Sequence, residues 1–274
     1  MVAKNYGDRS GWLSSTPAAL SPPITFVLHS LNRSGGSRVT VEMANRLIRR
    51  GYIVRIAVYD RHRRTFARVK EPLRKMYLGV RGRDYHDWGQ GFLGRTEHFV
   101  LMDDLSYAPG EIVIAVGTNS IDHVQRLSRD VTKLRFCHGF AEDRPEMTRR
   151  VWSGPVPTLA VAGTLVPRLR ELGAPVIGVV HNGIDMDEYY NENAERAWVG
   201  FMYSTHYNKA PEDARKLIEK LRDRWPAIRF HSFGEASRPS WLLPDEYMQY
   251  PSVPQARALY NKSKIWLVVS RMEG

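Results

Sequence analysis

Apolar positions along the chain fall into short runs of strand length, separated by stretches with a helical period. Residues 24–31 form one such run, followed by Gly35-Gly36. From Ser37 to Arg50 the apolar residues Val41, Ala44, Leu47 and Ile48 recur at spacings of three and four, until Gly51 stops the pattern. Residues 52–58 predict the next strand. A strand, a glycine turn, a helix and a strand in that order imply a parallel pair joined by a right-handed crossover. The alternation continues with strands over 111–117, 133–137, 158–162 and 175–180 and helices over 120–128 and 164–172. The stretch 79–99, rich in Gly, Arg and aromatics, reads as a long loop. This pattern predicts an open α/β sheet with helices on both faces.

A polar stretch, 188–196, separates a second block with the same pattern. Strands are expected over 198–202, 228–233 and 265–270, and helices over 212–225 and 255–263. The expected organisation is a loose Ser/Pro/Gly-rich tail over 1–23, a first domain over 24–190 and a second over 197–274. The second block is short for an α/β domain and stops just past a strand, so it is expected to be incomplete.

Composition narrows the class. Of 274 residues, 43% are hydrophobic and 25% charged, which fits a globular chain. The single Cys137 excludes a disulfide framework and any multi-cysteine metal site. No apolar run approaches the roughly 20 residues that a membrane-spanning helix needs, and the N-terminus lacks an apolar signal core. A cytoplasmic location is therefore the expectation. Twelve Lys/Arg stand against Asp60 and Glu71 between Arg49 and Arg83, which is nearly the whole of the net +11. Such a segment is either a solvated basic surface or a site for an anionic partner, lipid headgroups or a phosphorylated substrate. Nucleic acid is not expected, because few aromatics and no recognition motif accompany the charge.

Several short patterns carry candidate chemistry. Ser34-Gly35-Gly36-Ser37 stands between the first strand and its helix, where glycines let backbone approach an anion at the helix N-terminus; a plain tight turn would use the same residues. His138 and His181 follow predicted strands, the edge at which such sheets bind ligands. Lys209, between a strand and a helix, is either solvated or placed to neutralise a leaving diphosphate. Asp185-Met186-Asp187 has the spacing of a divalent-cation site and equally that of an acidic turn. Gly89, Gly91 and Gly94 match a dinucleotide spacing, but a strand-like segment follows where a helix is required.

Taken in order, the glycine turn with Arg49-Arg50-Gly51, the stretch Val180-His181-Asn182-Gly183-Ile184-Asp185, then Gly200-Phe201, Lys209, Phe233-Gly234, Leu259-Tyr260 and Ser270-Arg271-Met272-Glu273-Gly274 resemble the retaining GT-B glycosyltransferases of family 4. The resemblance runs from about Ile24 to the last residue. It implies two Rossmann-like domains facing a cleft, the first for the acceptor and the second for a nucleotide diphosphate sugar. It implies that Gly35 and Gly36 approach the donor phosphates and that His138 lies near the transferred sugar. Lys209 would stabilise the diphosphate, Glu273 would contact sugar hydroxyls, and Ser252-Val253 would flank the base. Gly234 belongs to the same donor side. Family members need no metal or other cofactor, which makes Asp185-Met186-Asp187 part of a turn. Two positions depart from the pattern. Tyr203 stands where an arginine is usual, with Arg271 the candidate substitute, and Ala210 stands where a glycine usually follows the lysine.

The expected activity is transfer of a sugar, with retention, from a nucleotide diphosphate sugar to a hydroxyl acceptor, lipid-linked or polysaccharide, in cell-envelope or exopolysaccharide synthesis. The basic segment between Arg49 and Arg83 would meet an anionic membrane at its inner face. The competing readings are a metal-dependent GT-A transferase using Asp185 and Asp187, a phosphorylase or epimerase, and a non-catalytic sugar-nucleotide-binding fragment.

Overall fold

A computed structural model describes residues 21–29, 31, 34–59, 91–99, 105–141 and 144–271. Most of the predicted tail, most of the basic segment after Tyr59, Gly89 and Glu273 lie outside the described residues. The chain divides into two compact units between His181 and Asn182.

In the first unit the strands are β1 (Ile24–Leu28), β2 (Val54–Tyr59), β3 (Arg95–Phe99), β4 (Ile112–Val116), β5 (Thr132–Cys137), β6 (Thr158–Ala160) and β7 (Val176–Val179). They form one sheet in the order β3-β2-β1-β4-β5-β6-β7. Every pairing is parallel, with Ile24 opposite both Val54 and Ile112. All five residues of β1 are buried, as a central strand covered on both faces requires. Helix α1 (Gly35–Arg49) begins where the Ser34 hydroxyl accepts from the Ser37 N–H, an N-cap that satisfies a donor left free at the helix start. It buries Val41 and Ala44 and ends with Arg46 and Arg49 in its last turn, the favourable end for cations. Helices α2 (Thr118–Arg126), α3 (Pro145–Trp152) and α4 (Val166–Glu171) join the later strands.

The second unit has β8 (Trp198–Met202), β9 (Phe230–Gly234), β10 (Tyr247–Gln249) and β11 (Ser263–Leu267), all parallel in the order β10-β9-β8-β11. Helices α5 (Pro211–Arg224) and α6 (Val253–Lys262) connect them. Val199, Phe201, Ile218, Phe230 and Leu242 form its buried centre. Among the described residues no helix is long and apolar enough to cross a membrane.

The structure departs from the sequence reading in three places. The stretch 79–99 is not loop throughout, since β3 occupies its end. Arg95, Glu97 and Arg55 conceal that strand's pattern: Glu97 bonds Arg55 at 3.0 Å and Arg95 at 3.0 Å, so charges line an edge strand. Helix α3 and strand β10 were not expected. The three residues of β10 are too few for periodicity, and α3 buries apolar side chains only in its last turn, at Val151 and Trp152. The stretch 188–196 packs on the second unit. Arg257 bonds Glu192 at 2.7 Å and the Glu188 carbonyl at 3.0 Å, while Asn261 receives the Glu192 N–H at 2.9 Å. A strand follows Gly91 and Gly94, as the sequence reading expected, and Gly94 is a packing residue close to the Val54 carbonyl and Ile48.

Candidate functional site

Open parallel sheets bind ligands beyond the carboxyl ends of their strands, where the strand order reverses. In the first unit that point lies between β1 and β4. Gly35 and Gly36 open α1 there. A Cβ on Gly35 would meet nothing within 4 Å, and one on Gly36 would come only to 4.0 Å from His138 Cγ. Among the described residues, internal packing therefore demands a glycine at neither position. His138 follows β5, its ring edge-on to Phe136 at 4.5 Å. Its Nε2 is buried with no hydrogen-bond partner among the described residues. Burial pushes its pKa down to about 4, so the ring is neutral at pH 7 and suited to hydrogen-bond a hydroxyl. Gly117, with φ +80°, ends β4 and begins α2 without a side-chain cap. His29, after β1, has its Nδ1 3.9 Å from where a Gly117 Cβ would stand. Sequence reasoning missed His29 and Gly117, because the apolar run 24–31 put His29 inside the expected strand, which in the structure ends at Leu28.

His181 is exposed, and its Nδ1–H donates to the Val161 carbonyl at 3.1 Å. The Asp187 N–H donates to Asp185 Oδ1 at 2.9 Å, which makes the acidic pair a turn. Among the described residues no group of three His, Cys, Asp or Glu side chains could hold a metal ion.

In the second unit the order reverses between β8 and β11. After β8 the chain makes a short turn, Tyr207–Lys209, and enters α5 through Ala210. Ala210 has φ +45°, a left-handed conformation that glycine adopts freely and alanine at some cost. Ala210 therefore holds its backbone path under strain. After β11, the Arg271 N–H donates to the Asn208 carbonyl at 2.8 Å. Its guanidinium lies 4.4 Å from the Tyr207 ring centre and 3.2 Å from Asp213 Oδ2. Lys209 and Arg271, far apart in sequence, therefore occupy one edge of one sheet.

Gly234 ends β9 in a different setting from Gly35. A Cβ there would lie 3.1 Å from the Tyr203 carbonyl carbon, closer still to its oxygen, and 3.0 Å from Tyr247 Oη. Ser252 caps α6: its hydroxyl accepts from the Gln255 N–H, and its own N–H donates to Gln255 Oε1 at 2.8 Å. Val253 is the first residue of that helix.

A second buried histidine, away from both edges, adds to the pH dependence of stability that the lowered pKa of His138 brings. His231 is 3% exposed, stacked on Trp198 at 5.5 Å, with its Nε2–H donating to Ser263 Oγ at 2.6 Å. Burial first, then the Lys262 charge, pushes its pKa down to about 4. The folded pKa lies below the unfolded value near 6.5, so the unfolded chain takes up the proton first. Stability should hold above pH ~6.5 and fall as pH drops toward 4, by at most ~3 kcal/mol from this residue. Urea unfolding between pH 7.5 and 4.5 checks this. A midpoint unchanged by pH would contradict it.

No family model matches the chain, and no curated protein matches it. Solved structures do. A mutant of TarM from S. aureus, in complex with fondaparinux, alpha-GlcNAc-glycerol and UDP, superimposes with a TM-score of 0.65 at 8% identity, over 92% of this chain and 82% of that one. A second TarM structure gives 0.65 at 10% identity, over 94% and 82%. An alpha-glucosyltransferase in complex with UDP-glucose and DNA containing an abasic site gives 0.55 at 11%, over 92% and 73%. Likeness at these identities is one of fold. The chain is an α/β protein of the GT-B type, built from Rossmann-like parallel-sheet units.

Proposed function

We propose that the chain is a retaining glycosyltransferase similar to family 4, moving a sugar from a nucleotide diphosphate sugar to a hydroxyl acceptor. The observation that carries this reading is the placing of Lys209 in the turn after β8, at the switch point of the second sheet. A departing diphosphate needs such a cation, held in place before charge develops. In the reaction the bond from the anomeric carbon to the diphosphate oxygen breaks, and a bond from that carbon to the acceptor oxygen forms. The acceptor's proton passes to the departing diphosphate. Gly35 and Gly36, at the start of α1, suit an anion by their open backbone. His138, neutral and with a ring nitrogen that has no hydrogen-bond partner among the described residues, suits a sugar hydroxyl. Glu273, Ser252 and Val253 complete the donor side on the family resemblance, and Gly234 supports it through its packing against the Tyr203 backbone. The fold likeness supports the reading, since the TarM and alpha-glucosyltransferase structures hold UDP or UDP-glucose.

No metal enters this mechanism. The acceptor is lipid-linked or a polysaccharide of the cell envelope, and the basic segment from Arg49 to Arg83 brings the enzyme to an anionic membrane surface on the cytoplasmic side. Calorimetry with UDP-, GDP- and dTDP-sugars tests the central claim. One of them should bind without added metal and in the presence of EDTA, and Lys209→Ala should weaken that binding at least ~10-fold, as loss of a charge-assisted contact does. Binding of none of them, or abolition by EDTA, defeats the reading.

A further inference from the structure

The two strands that flank the switch point of the second sheet each deliver a cation to the same place. Lys209 follows β8 and Arg271 follows β11. The Arg271 main-chain N–H, bonded to the Asn208 carbonyl at 2.8 Å, pins Arg271 one residue from Lys209. Its side chain is oriented twice over, by the Tyr207 ring at 4.4 Å and by Asp213 at 3.2 Å. The Arg271 and Asp213 side chains stay 42% and 52% exposed. An ion pair in such contact with water contributes little and exchanges readily for a stronger partner. A phosphate group is that partner, because the planar guanidinium can give two parallel hydrogen bonds to its oxygens. The residue that directly follows β8 has no cation to offer. Tyr203 stands there, its ring packed edge-on to Trp241 at 5.8 Å and to Tyr247 at 6.1 Å.

We propose that Arg271 is the second cation for the diphosphate of a nucleoside diphosphate, and that Asp213 holds it ready in an ion pair the ligand displaces. This rests on the reading of the second unit as the donor side. The charge arrives from β11 instead of β8, and the aromatic cluster around Tyr203 is left to packing. Asp213 lowers affinity slightly while it keeps the guanidinium aimed at the edge.

Calorimetry with free UDP, GDP and dTDP, and with the matching monophosphates, tests the proposal. Arg271→Ala should weaken diphosphate binding by about 10- to 100-fold, the worth of a charged hydrogen-bonded contact, and should reduce the preference for diphosphate over monophosphate. Arg271→Lys should restore part of the loss. Asp213→Asn should tighten diphosphate binding by about 2- to 5-fold, since an exposed pair is released. Thermal melting of each variant reports whether it remains folded. If Arg271→Ala binds diphosphate like the wild type while Lys209→Ala does not, the proposal falls and the donor reading stands. If Asp213→Asn binds more weakly at unchanged melting temperature, Asp213 does not compete for Arg271 and that half of the proposal falls. If the wild type binds no nucleotide, the donor reading itself fails.

Discussion

Arg135→Ala is expected to lower the unfolding free energy of the first unit by about 3–5 kcal/mol. Arg135 lies in the middle of β5 and is 0% exposed. Its Nε donates to Thr158 Oγ1 at 2.9 Å, Nη1 to the Val151 carbonyl at 2.7 Å and Nη2 to the Gly154 carbonyl at 2.9 Å. The guanidinium also stands 5.5 Å from the Trp152 ring centre. Burial pushes its pKa down to about 10, so it stays charged at pH 7. The cation sits at the C-terminal end of α3, where unpaired carbonyls favour it, and it fastens that helix and the following turn to β5 and β6. Alanine would leave two carbonyls and a hydroxyl without this donor and would open a cavity beside Trp152. Arg135→Lys keeps the charge but reaches fewer of the three acceptors, so its cost should fall between alanine and the wild type. Urea unfolding measures both. A loss below about 1 kcal/mol for alanine would show that the network is dispensable.

Gly234→Ala is expected to be nearly as damaging, at about 3 kcal/mol or more, because the new methyl overlaps backbone that has nowhere to go. The Tyr203 N–H is bonded to the Phe233 carbonyl at 2.9 Å, and the Tyr250 N–H to the Gly234 carbonyl at 3.0 Å. Relief requires β8 and β9 to part at the point where the chain leaves for Lys209, so nucleotide binding should weaken with stability. Gly35→Ala is the contrasting case. Its methyl meets nothing within 4 Å, so stability should change by less than about 1 kcal/mol while ligand binding suffers. Chemical unfolding and nucleotide calorimetry on both variants separate a glycine that serves packing from one that serves a ligand. Equal destabilisation by the two would refute the distinction.

Helix α1 was legible because its apolar residues keep the helical period between a glycine pair and a glycine stop. Strand β8 was legible over its full length, Trp198–Met202, because a short run of low polarity stands between Arg196 and Ser204. The placing of Gly35, Gly36, His138 and Lys209 just past predicted strands followed from the same alternation, and for a parallel sheet that is the ligand-binding edge. Strand β3 was not legible. Its arginine and glutamate look solvated until Arg55, 42 positions before Glu97, is placed beside them. Arg135 looked like any charged residue in a strand, and only the return of Val151, Gly154 and Thr158 to its side makes it part of the core.

The sequence by itself therefore determined the class of fold, the parallel pairing of the first two strands and the strand ends that can carry chemistry, because periodicity and turn chemistry act between near neighbours. Only the tertiary structure decided why each glycine is a glycine, that Arg135 is buried, and that Arg271 meets Asp213 from 58 positions away. Those outcomes depend on what stands opposite a residue after the chain has closed on itself, and no local pattern encodes the opposite side.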